Sequence, residues 1–190
     1  MDRGGWPNDR VTPTQTQHTP TPPSEFTAQA IRSSAPSAQV HCVHYPLAAA
    51  QFGTVDVASW RSQLAPNGER VVFYAFDARS SMARKNPAAA IEIFKGAVGE
   101  RTDARLVLKV SNLDWSSASR RDLLARIDND PRIYLQTDTL GTPEMNALIA
   151  AADVYLSPHR SEGFGFMLVK SLMAGVEVMM TDWSGNTDFM

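Results

Sequence analysis

The chain has 190 residues, 43% of them hydrophobic, and a formal net charge of −2. That length suits one domain of ordinary size, and the near-neutral charge argues against a bulk electrostatic partner such as nucleic acid or an anionic membrane surface. A single cysteine, Cys42, excludes an intramolecular disulfide and a four-thiolate zinc site.

In chain order, residues 1–23 are rich in Thr, Pro and Gln (VTPTQTQHTPTPP). They hold too few apolar groups to offset the entropy of ordering and read as a disordered tail. The opening MDRGGWPNDR lacks the apolar core of a signal peptide, and no stretch approaches the roughly 20 consecutive apolar residues of a membrane span. The expectation is a cytoplasmic protein, at most peripheral at the inner face of a membrane.

Structure is expected to begin at PSEFTAQAIRSS, with Ser24 as N-cap, Glu25 in the first turn, and Phe26, Ala30 and Ile31 sharing a face. AQVHCVHYPL reads as a short strand or extended connector stopped by Pro46, and residues 48–69 are ambiguous, with a loop at APNGER. From residue 70 the pattern becomes regular. RVVFYAF is a continuous β-branched and aromatic run, as in a strand buried on both faces. After the polar loop DARSSMARKN, Pro87 opens a helix with Ala90, Ile91, Phe94 and Val98 on one stripe and Gly99 as its stop.

RLVLKVSN is a second strand, SSASRRDLLARIDND a second helix of this region, and PRIYLQ a third strand. TPEMNALIAAA is a helix with Thr142 as N-cap and Pro143 behind it. DVYLSPHR, SEGFGFMLVKSLMAG and VEVMMT add a strand, a helix and a last strand. Strands alternating with helices predict βαβ units, a parallel sheet and a doubly wound α/β, Rossmann-like domain.

Such sheets bind ligands at the carboxyl ends of their strands. DARSSMARKN and SPHRSEGFG both follow strands and are candidates for that edge. In SEGFGF, Gly163 and Gly165 allow close backbone approach, and the helix behind them points its positive end the same way. That suits a phosphate or diphosphate, which the adjacent cations Arg84 and Lys85 could neutralise. The glycine spacing is not the dinucleotide fingerprint, and GxxxxGK[ST] is absent. Each motif also has a purely structural reading, as a strand-to-helix turn and as a solvated cation pair.

Taken together, RKNPAAAIEIF (84–94), RIYLQTDTL (132–140), EMNALIAAADVYLSPHRSEGFGF (144–166), SLMAG (171–175) and VMMTDWSGNTDFM (178–190) resemble the C-terminal, donor-binding half of the GT-B glycosyltransferases of the large retaining group called group 1 or family 4. PSEFTAQAIR resembles the segment that precedes the interdomain connector. The resemblance divides the chain into the tail 1–23, a helix and connector over 24–69, and an incomplete donor domain over 70–190.

The resemblance implies a retaining nucleotide-sugar-dependent transferase, with a nucleotide diphosphate sugar as donor, an unknown acceptor, no metal and no other cofactor. Its family context is polysaccharide or glycoconjugate synthesis. Lys85 matches the lysine that contacts the donor diphosphate, with Arg84 beside it, and Arg79 is a weaker match to an arginine found shortly after the first strand. Glu162 matches the first glutamate of the E-x7-E motif and would face the transferred sugar. The amides of Gly163, Phe164, Gly165 and Phe166 match those around the diphosphate, while Ser184 and Gly185 match a structural loop.

There are three departures. Lys170 stands where relatives place the ribose-binding second glutamate, and Glu177 stands where proline is usual. The sequence also lacks an N-terminal Rossmann domain and ends before the family's last elements. Lysine can donate to a ribose oxygen but cannot accept from its hydroxyls. A non-catalytic donor-binding module or remnant, and one subunit of a split transferase whose acceptor domain is a separate chain, therefore stand beside the enzyme reading. An incomplete sheet exposes an edge and an apolar face and predicts poor solubility, with FKGAVG, LIAAADVYL and VMM as aggregation risks.

Overall fold

A computed structural model of the protein describes residues 19–47, 56–114 and 118–190. The helix α1 (Glu25–Ser34) precedes an extended connector, and α2 (Val57–Leu64) leads into the sheet region. There β1 (Arg70–Asp77), α3 (Met82–Lys85), α4 (Pro87–Val98), β2 (Ala104–Ser111), α5 (Ala118–Ile127), β3 (Ile133–Gln136), α6 (Thr142–Ala150), β4 (Val154–Ser157), α7 (Phe166–Met173) and β5 (Glu177–Met180) follow in turn. A short 3-10 helix, Gly185–Asp188, closes the chain.

All five strands are parallel, in the order β3-β2-β1-β4-β5. From β1 the chain winds outward through β2 to β3, then crosses back to lay β4 on the other side of β1. The point where winding direction reverses lies between β1 and β4, and loops leaving their carboxyl ends must diverge there, opening a crevice. The doubly wound α/β expectation holds. It does so for the reason the apolar runs suggest: Phe73, Leu106, Val107, Leu108 and Val110 are fully buried between helix layers that contribute Ile91, Phe94, Leu123, Leu148, Ile149 and Leu168.

Several local expectations are corrected. The N-cap of α6 is Gly141, whose amide bonds Glu144 Oε2 at 2.7 Å, so Thr142 is already helical. Phe26, Ala30 and Ile31 do not form the buried face of α1; Ala28 does, and Ala30 is exposed. The connector is extended but pairs with no strand of the sheet: His41 and Val43 donate to the carbonyls of Pro20 and Pro22. Residues 19–23 thus lie against it, while the rest of the Thr/Pro/Gln-rich tail falls outside the described residues, as do 48–55. The loop DARSSMARKN contains a helical turn, α3, capped by Ser81. LIAAADVYL is buried rather than exposed, and so is Phe94 of FKGAVG; of the three apolar segments VMM is the open one, with Met179 on the edge strand β5.

Candidate functional site

The crevice between β1 and β4 collects the residues that the motifs single out. Asn86, held in the left-handed region at φ 54°, ends α3 and starts α4. Its side chain donates to Pro158 O at 2.9 Å, tying the loop after β1 to the loop after β4. Arg160 N donates to Arg84 O at 2.8 Å across the same seam. Beneath, the buried Tyr74 donates its hydroxyl to Lys85 O. Burial, aided by the nearby Glu162 charge, pushes the Tyr74 phenol well above its usual range, so it remains a donor.

Arg84 and Lys85 thereby reach across to the turn before α7. Lys85 Nζ pairs with Glu162 Oε1, and Arg84 donates to Glu162 Oε2 at 3.3 Å and to Ser161 O at 2.9 Å. Arg84 also reaches Ser80 Oγ at 3.2 Å. Lys85 and Glu162 are largely shielded, each side chain 15% exposed, which strengthens their attraction relative to a surface pair. Arg79 does not join them: it is exposed, and its backbone amide caps Asp77 at 2.8 Å.

The glycine turn is built in two layers. Gly165 sits at φ 91°, a conformation that favours glycine, and a Cβ there would also press on Leu168 Cδ1 at 2.8 Å. Gly163 faces open space. Among the described residues the amides of Gly163, Phe164 and Gly165 donate to no acceptor, and they lie at the amino terminus of α7. Free amides at a helix start form an anion-binding surface. The Phe164 ring, by contrast, is buried against Tyr45 and Phe189 at centroid distances of 5.4 Å each. Phe166 is largely exposed.

Residues not singled out as functional hold this turn. Glu162 N donates to Ser184 Oγ at 2.8 Å, and Gly185 N to Glu162 O at 2.9 Å. Ser184 in turn bonds Asn186 Oδ1 at 3.2 Å, and fully buried His159 meets the same oxygen through Nε2 at 2.9 Å. A Cβ at Gly185 would run into the Gly163 carbonyl. Ser184 and Gly185, expected as a structural loop, do brace the site. The signal for the network was present in SPHR and SGN, since a buried imidazole needs polar partners on both nitrogens.

Lys170 lies one turn into α7. Its amine donates to Asn146 Oδ1 at 3.3 Å and stands 5.0 Å from the Phe166 ring centroid. It is half-buried, and of the apolar residues on the same helix Leu168 and Val169 are buried while Leu172 is exposed. Glu177 is exposed and pairs with Arg70 at 2.7 Å.

Lys109 belongs to none of the motifs above. It lies on β2 beside Ala75 of β1 and is 2% exposed. With Lys85 it lines a cavity of about 220 Å³ at the carboxyl ends of β1 and β2. A lysine interrupting the run LVLKV was the available signal.

No protein-family model and no curated protein matches the sequence. The fold, however, is that of solved glycosyltransferases. Anabaena Alr3699/HepE in complex with UDP and glucose superposes with a TM-score of 0.75 at 15% identity, covering 90% of this chain and 46% of that one. TarM of S. aureus, in complex with UDP, gives 0.65 at 11% identity over 89% of this chain and 31% of its own. WaaG, a glycosyltransferase involved in lipopolysaccharide biosynthesis, gives 0.55 at 18% identity over 70% and 35%. The chain spans less than half the length of each, as the resemblance to a donor-binding half implies.

Proposed function

We propose that the chain is the donor-binding half of a retaining glycosyltransferase that holds a nucleotide diphosphate sugar in the crevice between β1 and β4. The observation that carries this reading is the convergence of Arg84, Lys85, Glu162 and the free amides before α7 at the point where the winding of the sheet reverses. HepE and TarM bound to UDP support it.

In this reading the diphosphate lies on the amides of Gly163–Phe166 and draws Lys85 and Arg84 partly away from Glu162. Cations and a helix terminus stabilise charge on a leaving diphosphate without a metal. Glu162, released from its ion pairs, faces the transferred sugar. The acceptor and its wall come from elsewhere, in a longer protein or a separate chain, and that wall is what aligns the reaction. The product belongs to polysaccharide or glycoconjugate synthesis.

A second reading has a specific observation behind it: a donor-binding module without turnover. Lys170 places an ammonium, a donor only, where the ribose hydroxyls need an acceptor, and its amine is already engaged with Asn146. Isothermal titration with UDP- and GDP-sugars tests the shared part of both readings. Binding in the micromolar to millimolar range is expected, and no heat at millimolar ligand would sink both. Sugar release or transfer, followed with a labelled donor, then separates them.

A further inference from the structure

Lys109 is a buried charge that the arrangement around Glu162 does not use. Its amine has only neutral, long partners, Ser111 Oγ at 3.3 Å and Val110 O at 3.4 Å, and among the described residues it forms no ion pair. Two carboxylates act on it from a distance, Asp77 at the end of β1 and Asp138 after β3. Asp77 already accepts from Asn112 Nδ2 and from Arg79 N, both at 2.8 Å. Lys85, the other cation lining the cavity, is engaged by Glu162. An ammonium held in this way is costly unless an anion joins it.

The cavity around it is bounded by Phe76, Met145 and Met167 on its apolar side, with Lys85, Lys109, Asp77, Ser80 and Ser111 as polar groups, so two ammonium groups face one carboxylate. At about 220 Å³ it falls below the roughly 300–1,000 Å³ of clefts that take a whole ligand. One moiety of a donor fits, and the two lysines select an anionic one. Because Lys109 projects from a central strand, its position is fixed by the β1–β2 register rather than by a loop.

We propose that Lys109 is a further phosphate-binding cation beside Arg84 and Lys85, and that a phosphate of the donor enters this cavity between Lys85 and Lys109. The proposal deepens the donor-site reading above and rests on it for the identity of the ligand. It also explains how a lysine is tolerated in the sheet. Burial holds the amine below its usual range in the free protein, and an arriving phosphate raises it again.

The test is isothermal titration of the full chain with UDP, GDP, inorganic pyrophosphate and uridine. Lys109→Met, which keeps the length and removes the charge, is expected to lose about 10- to 100-fold in affinity for UDP and pyrophosphate. It should keep the parent's affinity for uridine and melt no lower than the parent. Lys109→Gln guards against a packing effect of methionine and should behave alike. Unchanged UDP and pyrophosphate affinity in both variants would overturn the assignment, and so would an equal loss for uridine. If the parent binds pyrophosphate through Lys109 but neither UDP nor GDP, the anion site stands and the donor reading falls. If it binds none of them, both fall.

Discussion

At the amino edge of the sheet, Asn67, Glu69, Arg105 and Arg132 line a cleft of about 510 Å³, more than twice the cavity beside Lys85 and Lys109 at the carboxyl edge. Size would select the first, but the charges select the second. Glu69 accepts from Asn67 and pairs with Arg105 at 3.1 Å. Arg132 is forked onto Asp130 at 2.8 and 2.9 Å and also reaches Arg101 O. Arg101 in turn pairs with Asp103. Every charge named there already has its opposite, so that edge has no demand for a ligand. The carboxyl edge has free amides, a cation pair sharing one carboxylate, and a buried lysine with none in contact. A ligand site is marked by what is left unsatisfied, more than by volume.

The sharpest way to break the contrast is at Lys85. Lys85→Ala should weaken binding of UDP or GDP by about 10- to 100-fold, while Arg105→Ala at the larger cleft should leave nucleotide affinity unchanged; titration of both decides which edge holds the ligand. Lys170→Glu should act in the opposite direction, tightening binding of a nucleotide diphosphate by roughly tenfold or more as a ribose acceptor is restored. If its affinity matched the parent's, Lys170 would not mark a damaged ribose contact.

At the amino edge the expected effects are on stability. Arg61 of α2 binds Asp153 at 2.6 Å, Ala151 O at 3.0 Å and Glu69 O at 2.9 Å. Arg61→Ala should cost about 1–3 kcal/mol in denaturant unfolding, with no change in nucleotide affinity. The smallest effect is on acid tolerance. Hydrogen bonds from its own backbone amide and from Asn67 hold the Glu69 carboxyl at about 2, and the Arg132 fork holds Asp130 at about 2. Carboxyls depressed in the folded state stabilise it above their unfolded values near 4, and that contribution is lost as pH falls toward 2. Melting temperature should therefore drop through that window, and less steeply in Glu69→Gln.

The sheet was legible because VVFYAF and LVLKV need burial on both faces, and only a sandwiched parallel strand supplies it. The cation pair and the glycine turn were legible as motifs, and the strand order that brings them together follows from the connections. Other features could not be read. In α2 only Leu64 is buried, so VASWRSQL carries no clear helical stripe. The helix α3 is a single turn whose existence depends on the Ser81 cap and the left-handed Asn86. Thr142 reads as the cap of α6 because its side chain can accept a hydrogen bond, yet the cap is Gly141, whose amide is met by the Glu144 side chain. Lys109 reads as an ordinary strand residue until the register places it between β1 and β3.

The helix α1 carries a consequence for the order of assembly. Ser24 Oγ and Thr27 Oγ1 both donate to Gly163 O, and Glu25 N donates to Asp188 Oδ2 at 2.7 Å. These contacts join positions 139, 136 and 163 residues apart. Contacts of such separation form late, after the local β-α units have condensed. During synthesis the Glu162 turn therefore acquires its final brace only when residues near 185 leave the ribosome and meet a helix made long before. The helix α1 can therefore brace the turn at 161–165 only together with the carboxyl-terminal residues that hold it.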